Sequence, residues 1–318
     1  MLKQKWVLPA LAGLIVVMVV VICLLGRQGS GGEADFFQEE PGEVEQTTAG
    51  NAEALLAKLS TEQKVGQLFL ILPDALAEEP AAAGTTTLSA KELKALETYP
   101  VGGFVLTGSN IQDKDQLDKL LGRLKKTSSV TPLFALQEEG GMGATIAGKE
   151  AFGLAKTETP AALGSTGDGA KVKDAAATIG KALADLGFQM NLAPTCDVGS
   201  ALSFSETPEQ AAMCTSAAVE GFHEGGVACV LKHYPGQGGT NASEGASLSD
   251  PAIAQHYDSG DAALRAFQAG ADILLQPEDL SAAYTAVLSA VKDGTISQQR
   301  LDESVLRVLQ LKERYGLI

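Results

Sequence analysis

The stretch that decides the fold is Ala228–Gly239, which runs ACVLKHYPGQGG. A short apolar run leads into Lys232 and His233, and Pro235-Gly236 then breaks the pattern. An apolar run of this length between breaking residues is typical of a buried strand. Ligands of α/β proteins bind at the carboxyl ends of such strands. The lysine and the imidazole therefore predict a binding site, and the alternative interpretation is a core histidine beside a surface lysine.

Similar apolar runs recur along the chain, and amphipathic patterns with helix spacing lie between them. This alternation predicts parallel strands joined by helical crossovers. The number of strands favours an α/β TIM-like (β/α) barrel over an open sheet. The predicted strands are Gln67–Leu72, Val101–Leu106, Pro132–Leu136, Phe188–Leu192, Cys229–Leu231 and Asp272–Leu275. The predicted helices include Ala52–Leu59, Ser89–Glu97, Asp113–Lys126, Lys171–Leu186, one capped by Thr207, Asp261–Ala269, Ala282–Lys292 and Ser297–Tyr315.

Polar and charged side chains gather at the predicted carboxyl ends of the strands. Carboxylates beside a Lys-His pair, with no metal-ligand spacing, favour sugar chemistry over metal chemistry. Two glycine-rich runs, Gly140–Gly148 and Gly236–Gly239, lack the Gly-Lys-Ser/Thr end of a phosphate-binding P-loop. No cofactor is therefore predicted. The predicted substrate-binding residues are Gln137, Glu139, Asp197, Lys232 and His233.

The N-terminal part has a different composition. Trp6–Gly26 has no charged residue and is long enough to cross a bilayer as a helix. Its length favours an uncleaved single-pass anchor, and a cleaved signal peptide is left open as the alternative. Lys3 and Lys5 precede it, which predicts a cytoplasmic N-terminus with the bulk of the chain outside. The net charge of −15 argues against nucleic acid as a partner. The predicted segments are a stub and anchor over 1–27, an acidic flexible linker over 28–51 and a barrel domain over 52–318.

The cysteines do not form a disulfide framework. The chain has four cysteines, and Cys23 lies in the predicted anchor, so an odd number remains outside it. Burial as small apolar side chains is the favoured interpretation, and a Cys196–Cys229 pairing is left open.

Several motifs, in one order along the chain, resemble the N-terminal barrel domain of glycoside hydrolase family 3, in its β-N-acetylhexosaminidase branch. The resemblance implies a retaining hydrolase of terminal β-linked N-acetylglucosamine, with an aspartate nucleophile and an Asp-His acid/base pair on a loop. It also implies that Lys232 and His233 bind the sugar. The motifs are Lys64–Leu68, Val101–Leu106, Glu138–Gly141, Asn191–Pro194 with Asp197-Val198, Lys232–Gly238, Ala263–Phe267, Ala269–Asp272 and Arg300–Asp302.

The chain departs from this family at the positions that carry the chemistry. Ser243 and Gly245 stand where the family has its acid/base Asp and His, and Ala246 takes the place of the nucleophile. A stretch with two strands seems to be missing there, which predicts a barrel shortened by two strands. Without these groups a covalent intermediate cannot form or break.

Further departures lie at other positions of the family's motifs. An arginine expected after Asp197 is also missing. Gln137 stands where the family has an aspartate, and Met142 and Thr145 stand at the arginine positions that follow it.

Three hypotheses follow for the function. The first is a membrane-tethered relative that binds a cell-wall glycan, a muropeptide or another protein without turnover. The second is an active glycosidase with relocated carboxylates, in which Glu244 is the acid and Asp250 or Glu139 the nucleophile. The third is a non-catalytic assembly protein at the cell surface, in which a partner or a second copy covers the strand edges.

Overall fold

The computed structural model of the protein describes residues 50–77, 84–233 and 256–318. Within these ranges, no helix is both long enough and apolar enough to span a membrane. The predicted anchor Trp6–Gly26 lies outside the described residues, as does the predicted linker up to residue 49.

The strands form one parallel sheet of six strands, and all six predicted strands are present. Each is shorter than its apolar run in the sequence. They pair in the order β5-β4-β3-β2-β1-β6, and no pairing joins β5 to β6 within the described residues. Over the described residues, the fold is an α/β fold with a TIM-like parallel sheet, as predicted. The strands are β1 Phe69–Ile71, β2 Gly103–Leu106, β3 Leu133–Leu136, β4 Met190–Asn191, β5 Ala228–Cys229 and β6 Leu274–Leu275.

The predicted helices are confirmed to within a few residues at each end, and the short helix Pro160–Ser165 was not predicted. The Ser60 hydroxyl accepts from the Gln63 N–H at 3.2 Å, while the Gln63 side chain accepts from the Ser60 N–H at 3.0 Å. These two bonds form a capping box at the start of the helix Thr61–Gln67. The predicted cap at Thr207 is only partly right. Thr207 is the N-cap residue, but its side chain accepts no hydrogen bond from the helix. The described helices are Asn51–Leu56, Thr61–Gln67, Ala90–Thr98, Lys114–Thr127, Pro160–Ser165, Gly169–Asp185, Pro208–Glu224, Ser259–Gln268, Leu280–Lys292 and Gln298–Arg314.

Two buried cores lie on the two faces of the sheet, because successive strand residues point to opposite sides. One core contains Phe69, Phe104 and Phe134 together with the helices that cross between strands. The other, here called the inner core, contains the alternate residues, and Val308 and Leu311 of the last helix complete it. Its strand residues are Leu70, Val105, Leu133, Ala135, Met190, Leu192, Ala228, Val230 and Ile273.

Polar contacts join the last helix, Gln298–Arg314, to the residues that precede β6 and β1. Arg307 donates to Asp272 with its Nε at 2.7 Å from Oδ2, just before β6. Lys312 is fully buried, and its Nζ lies 2.6 Å from Oε1 of Gln67, just before β1. These contacts attach the helix to the adjacent strands β6 and β1.

The cysteine pairing that the sequence left open is not formed. Cys196, Cys214 and Cys229 make no disulfide bond with one another.

Candidate active site

The site is built where the chain continues beyond β4 and β5. Thr195 and Lys232 still pair as parallel neighbours there, and the Lys232 N–H donates to the Pro194 carbonyl at 3.2 Å. The Lys232–His233 peptide bond is cis. This pairing places Lys232 and His233 beside the loop that carries Asp197.

Lys232 forms a buried ion pair with Glu139. Its Nζ lies 2.6 Å from Glu139 Oε1, and the two side chains are only 8% and 1% exposed. The Glu139 carboxylate also accepts from the Thr195 N–H at 3.1 Å and from the Thr195 hydroxyl at 2.8 Å. Lys232 is therefore not a surface lysine, and that alternative interpretation is wrong.

His233 is paired with Asp197. The distance from His233 Nδ1 to Asp197 Oδ2 is 2.8 Å, and the side chains are 19% and 6% exposed. A carboxylate only accepts hydrogen bonds, so His233 Nδ1 is the donor in this contact. The structure thus brings four of the five predicted binding residues together as two couples, Lys232 with Glu139 and His233 with Asp197.

Gln137, the fifth predicted residue, lies on the same side of the sheet. Alternate residues of a strand face the same side, and Gln137 continues the series Leu133, Ala135 of the inner core. Its side chain is half-buried. Its carbonyl accepts from the Thr145 hydroxyl at 2.5 Å. Met142, in the turn Gly141–Gly143, is 79% exposed. Neutral side chains therefore occupy the positions where the resemblance places an aspartate and two arginines.

Glu138 is a structural residue of the site that the sequence analysis did not single out. It is fully buried, and its Oε2 accepts from the backbone N–H groups of Thr145 at 2.9 Å, Ile146 at 2.8 Å and Ala147 at 3.2 Å. Its Oε1 accepts from the Gly140 N–H at 3.1 Å. The carboxylate thereby holds the loop that begins with Glu139.

We expect Glu138→Gln to lower the free energy of unfolding by about 2–3 kcal/mol. The amide keeps one acceptor oxygen, but its NH2 group must then face a backbone N–H. The measurement is urea denaturation of the purified variant. Glu150→Gln is the matched control, because Glu150 is exposed on the same loop, and we expect it to shift stability by less than about 0.5 kcal/mol. Equal stability of the two variants would contradict this structural role.

The loops after β1 and β2 form a self-contained polar network. Asp74 accepts from the Thr85 N–H at 2.8 Å and from Asn110 Nδ2 at 2.8 Å. Asn110 is fully buried, and its Oδ1 accepts from the Thr107 N–H at 2.9 Å. These described polar groups bond to one another, whereas the couples Lys232–Glu139 and His233–Asp197 lie beyond β3, β4 and β5.

Cys196 lies next to Asp197 but is a poor nucleophile. Burial raises the pKa of its thiol, and the negative charges of Asp197 and Glu139 raise it further. Within residues 50–77, 84–233 and 256–318, His, Cys, Asp and Glu side chains form no group of three that could hold a metal ion. Glu244 and Asp250, the alternative catalytic residues, lie outside the described residues.

Comparison with known proteins identifies the family. Residues 60–253 and 244–311 match the glycosyl hydrolase family 3 N-terminal domain. The chain belongs to glycosyl hydrolase family 3. The resemblance seen in the motifs is thereby confirmed.

Family 3 relatives include named hexosaminidases. The chain is 32% identical to beta-hexosaminidase A of Pseudoalteromonas piscicida over 224 residues, which cover 63% of this chain and 37% of that protein. It is 28% identical to a beta-hexosaminidase of Idiomarina loihiensis over 173 residues, which cover 49% of each chain. The match thus spans about half or less of these relatives.

Solved family 3 structures agree with the fold. A family 3 beta-N-acetylglucosaminidase from Paenibacillus sp. FPU-7 superposes with a TM-score of 0.70 at 26% identity, over 81% of this chain and 63% of that one. Beta-N-acetylhexosaminidase from Beutenbergia cavernae superposes with a TM-score of 0.63 at 22% identity, over 80% of this chain and 99% of that one, and this likeness concerns the fold alone.

Proposed function

We propose that this family 3 protein binds N-acetylglucosamine-containing cell-wall glycans and hydrolyses them slowly or not at all. The binding residues are Gln137, Glu139, Asp197, Lys232 and His233. The names of the matched hexosaminidases support the sugar class. The ligand enters at the carboxyl ends of β3 to β5, where parallel sheets of this class bind their ligands.

The observation that carries the proposal is that the carboxylates at the site already have partners. Glu139 is bound to Lys232 and Thr195, and Glu138 accepts four backbone N–H groups. Asp197 is bound to His233. Glycoside hydrolysis needs one carboxyl group to attack or activate water and another to donate a proton. A carboxylate held by a buried lysine is poorly placed for either task.

The loss of the family's catalytic positions supports the same proposal. Ser243, Gly245 and Ala246 cannot replace an Asp-His acid/base pair and an aspartate nucleophile. The two segments that match the family overlap at residues 244–253, which supports a stretch missing there. We therefore propose a barrel shortened by two strands.

We also propose that the protein is anchored in a membrane. Trp6–Gly26 would anchor the chain with its N-terminus in the cytoplasm, and the barrel domain would face the cell wall. The anchored domain would meet its glycan outside the membrane.

Calorimetric titration with N-acetylglucosamine tests the binding. We expect saturable binding that His233→Ala weakens by about tenfold, because one or two hydrogen bonds to the sugar are lost. His256→Ala is the control, since His256 is exposed, and it should bind as the parent does. Absence of binding, or equal binding by the two variants, would refute the proposed site.

Hydrolysis is tested with an aryl β-N-acetylglucosaminide. We expect a rate several powers of ten below that of an ordinary glycosidase. A normal rate that His233→Ala abolishes would instead favour the hypothesis of relocated carboxylates, with Glu244 and Asp250 as the residues to replace next.

A further inference from the structure

Exposed apolar side chains lie beside the candidate active site. Over the described residues, only three large apolar side chains are well exposed: Met142 at 79%, Val198 at 46% and Met213 at 39%. Met142 comes three residues after Glu139, and Val198 follows Asp197 directly. Single exposed apolar side chains are common on proteins, whereas a group of them at the edge of a site indicates a binding surface.

The loops after β3 and β4, which carry this methionine and this valine beside the site, are joined at two points. At the first point, the Thr195 N–H and hydroxyl donate to the Glu139 carboxylate at 3.1 and 2.8 Å. At the second point, Gly143 packs so closely on Leu202 that an added Cβ atom would lie 3.1 Å from Leu202 Cδ2. The two exposed side chains lie between these points in their loops, so they flank the same short stretch of the rim.

Hydrogen bonds within each loop hold the two side chains in place. The Gly143 N–H donates to the Gly140 carbonyl at 3.0 Å, which closes the turn that carries Met142. The Gly199 N–H donates to the Ser205 carbonyl at 3.0 Å, directly after the exposed valine. Loops that are ordered before a ligand binds lose little conformational entropy on binding, so an apolar contact made there contributes to affinity.

We infer that Met142, Val198 and the half-buried Leu202, called here the apolar rim, bind a hydrocarbon group that is attached to the bound sugar. The inference rests on the proposed function, because the rim adjoins the two residue pairs proposed to bind the sugar. The ligand class is an N-acetylglucosaminide with an apolar aglycone, whose contact with the rim removes apolar surface of both partners from water. The motif resemblance places an arginine at position 142, so this rim is a feature of the present chain rather than of the family.

Calorimetric titration of the full-length protein with methyl and hexyl β-N-acetylglucosaminide tests the inference. The two ligands share the sugar and differ only in the length of the apolar aglycone. We expect the hexyl glycoside to bind about tenfold more tightly than the methyl glycoside. Titrations at several temperatures should also give a more negative heat-capacity change for the hexyl glycoside, because its binding removes more apolar surface from water.

Variants of the apolar rim test where this gain arises. Met142→Gln and Val198→Thr nearly keep the size of the side chain but make it polar. Each should weaken binding of the hexyl glycoside about threefold and leave binding of the methyl glycoside unchanged. Met213→Gln is the matched control, because Met213 is an exposed methionine on the helix Pro208–Glu224, and it should keep the parent's ratio of the two affinities. His233→Ala should weaken both glycosides by the same factor, since it acts on the sugar.

The outcomes separate this inference from the proposed function. Failure of both glycosides to bind would refute the proposed function and the inference with it. Equal affinities for the methyl and hexyl glycosides would overturn the inference alone. A hexyl preference that Met213→Gln reduces as much as Met142→Gln does would assign it to unspecific contacts and overturn the inference as well. A dimer in sedimentation velocity that Met142→Gln dissociates would assign the apolar rim to a second copy of the chain, with the same consequence.

Discussion

Glu139→Gln is expected to lower the free energy of unfolding by about 3–5 kcal/mol, because it removes one partner of a buried ion pair. The Lys232 ammonium would remain 8% exposed beside a neutral amide. Its charge would then have to be desolvated without compensation, or the lysine would have to lose its proton on folding. Urea denaturation of the purified variant measures the loss.

Two further variants separate the ion pair from the rest of the Glu139 contacts. Lys232→Met should cost less than Glu139→Gln, because the Glu139 carboxylate keeps the Thr195 N–H and hydroxyl as donors. The double variant Glu139→Gln/Lys232→Met should recover part of the loss, since no buried charge remains. If the two single losses simply add in the double variant, the side chains are not coupled and this account of the site is wrong.

Lys312 is expected to make the protein more stable as the pH rises from about 7 towards 10. Burial lowers the pKa of Lys312 from 10.5 to about 7 in the folded protein. As the pH falls below 10.5, the unfolded chain therefore takes up a proton at this lysine that the folded protein does not, and the unfolded state is favoured. The free energy of unfolding should rise by up to about 1.4 kcal/mol per pH unit within this window.

The contacts of Lys312 agree with a neutral amine. Its Nζ lies 2.6 Å from Gln67 Oε1, and none of the ion pairs within the described ranges includes it. The Gln67 amide in turn donates to the Pro100 carbonyl at 3.0 Å. A neutral amine can satisfy this one acceptor, whereas an ammonium would bury a charge without a carboxylate.

Lys312→Met checks the prediction. Stability against urea at pH 7.5, 8.5 and 9.5 should rise in the parent protein and should rise much less in Lys312→Met. Lys119→Met is the control, since Lys119 is an exposed lysine within another helix, and it should keep the parent's slope. A parent slope that survives in Lys312→Met would assign the pH dependence to other groups.

The sequence determined the order of the elements. Five strands lie within the predicted apolar runs, and β5 begins one residue before its run. The predicted helices lie between the strands. Both elements could be predicted because the side-chain periods of a strand and a helix, about 2 and about 3.6 residues, can be recognised in a short stretch of sequence. The position of Lys232 and His233 just beyond β5 also followed from local pattern, since a short apolar run and a Pro-Gly break mark the end of that strand.

The tertiary structure decided the partners of these residues and what the carboxylates can do. The sequence placed Glu139, Asp197 and Lys232 at strand ends but could not pair them, because each comes from a different strand and only the register of β3, β4 and β5 sets which side chains meet. It likewise missed the burial of Glu138 and Lys312. Whether a residue on a loop or a helix is buried depends on which distant segments of the chain pack around it, and the local sequence does not contain this information.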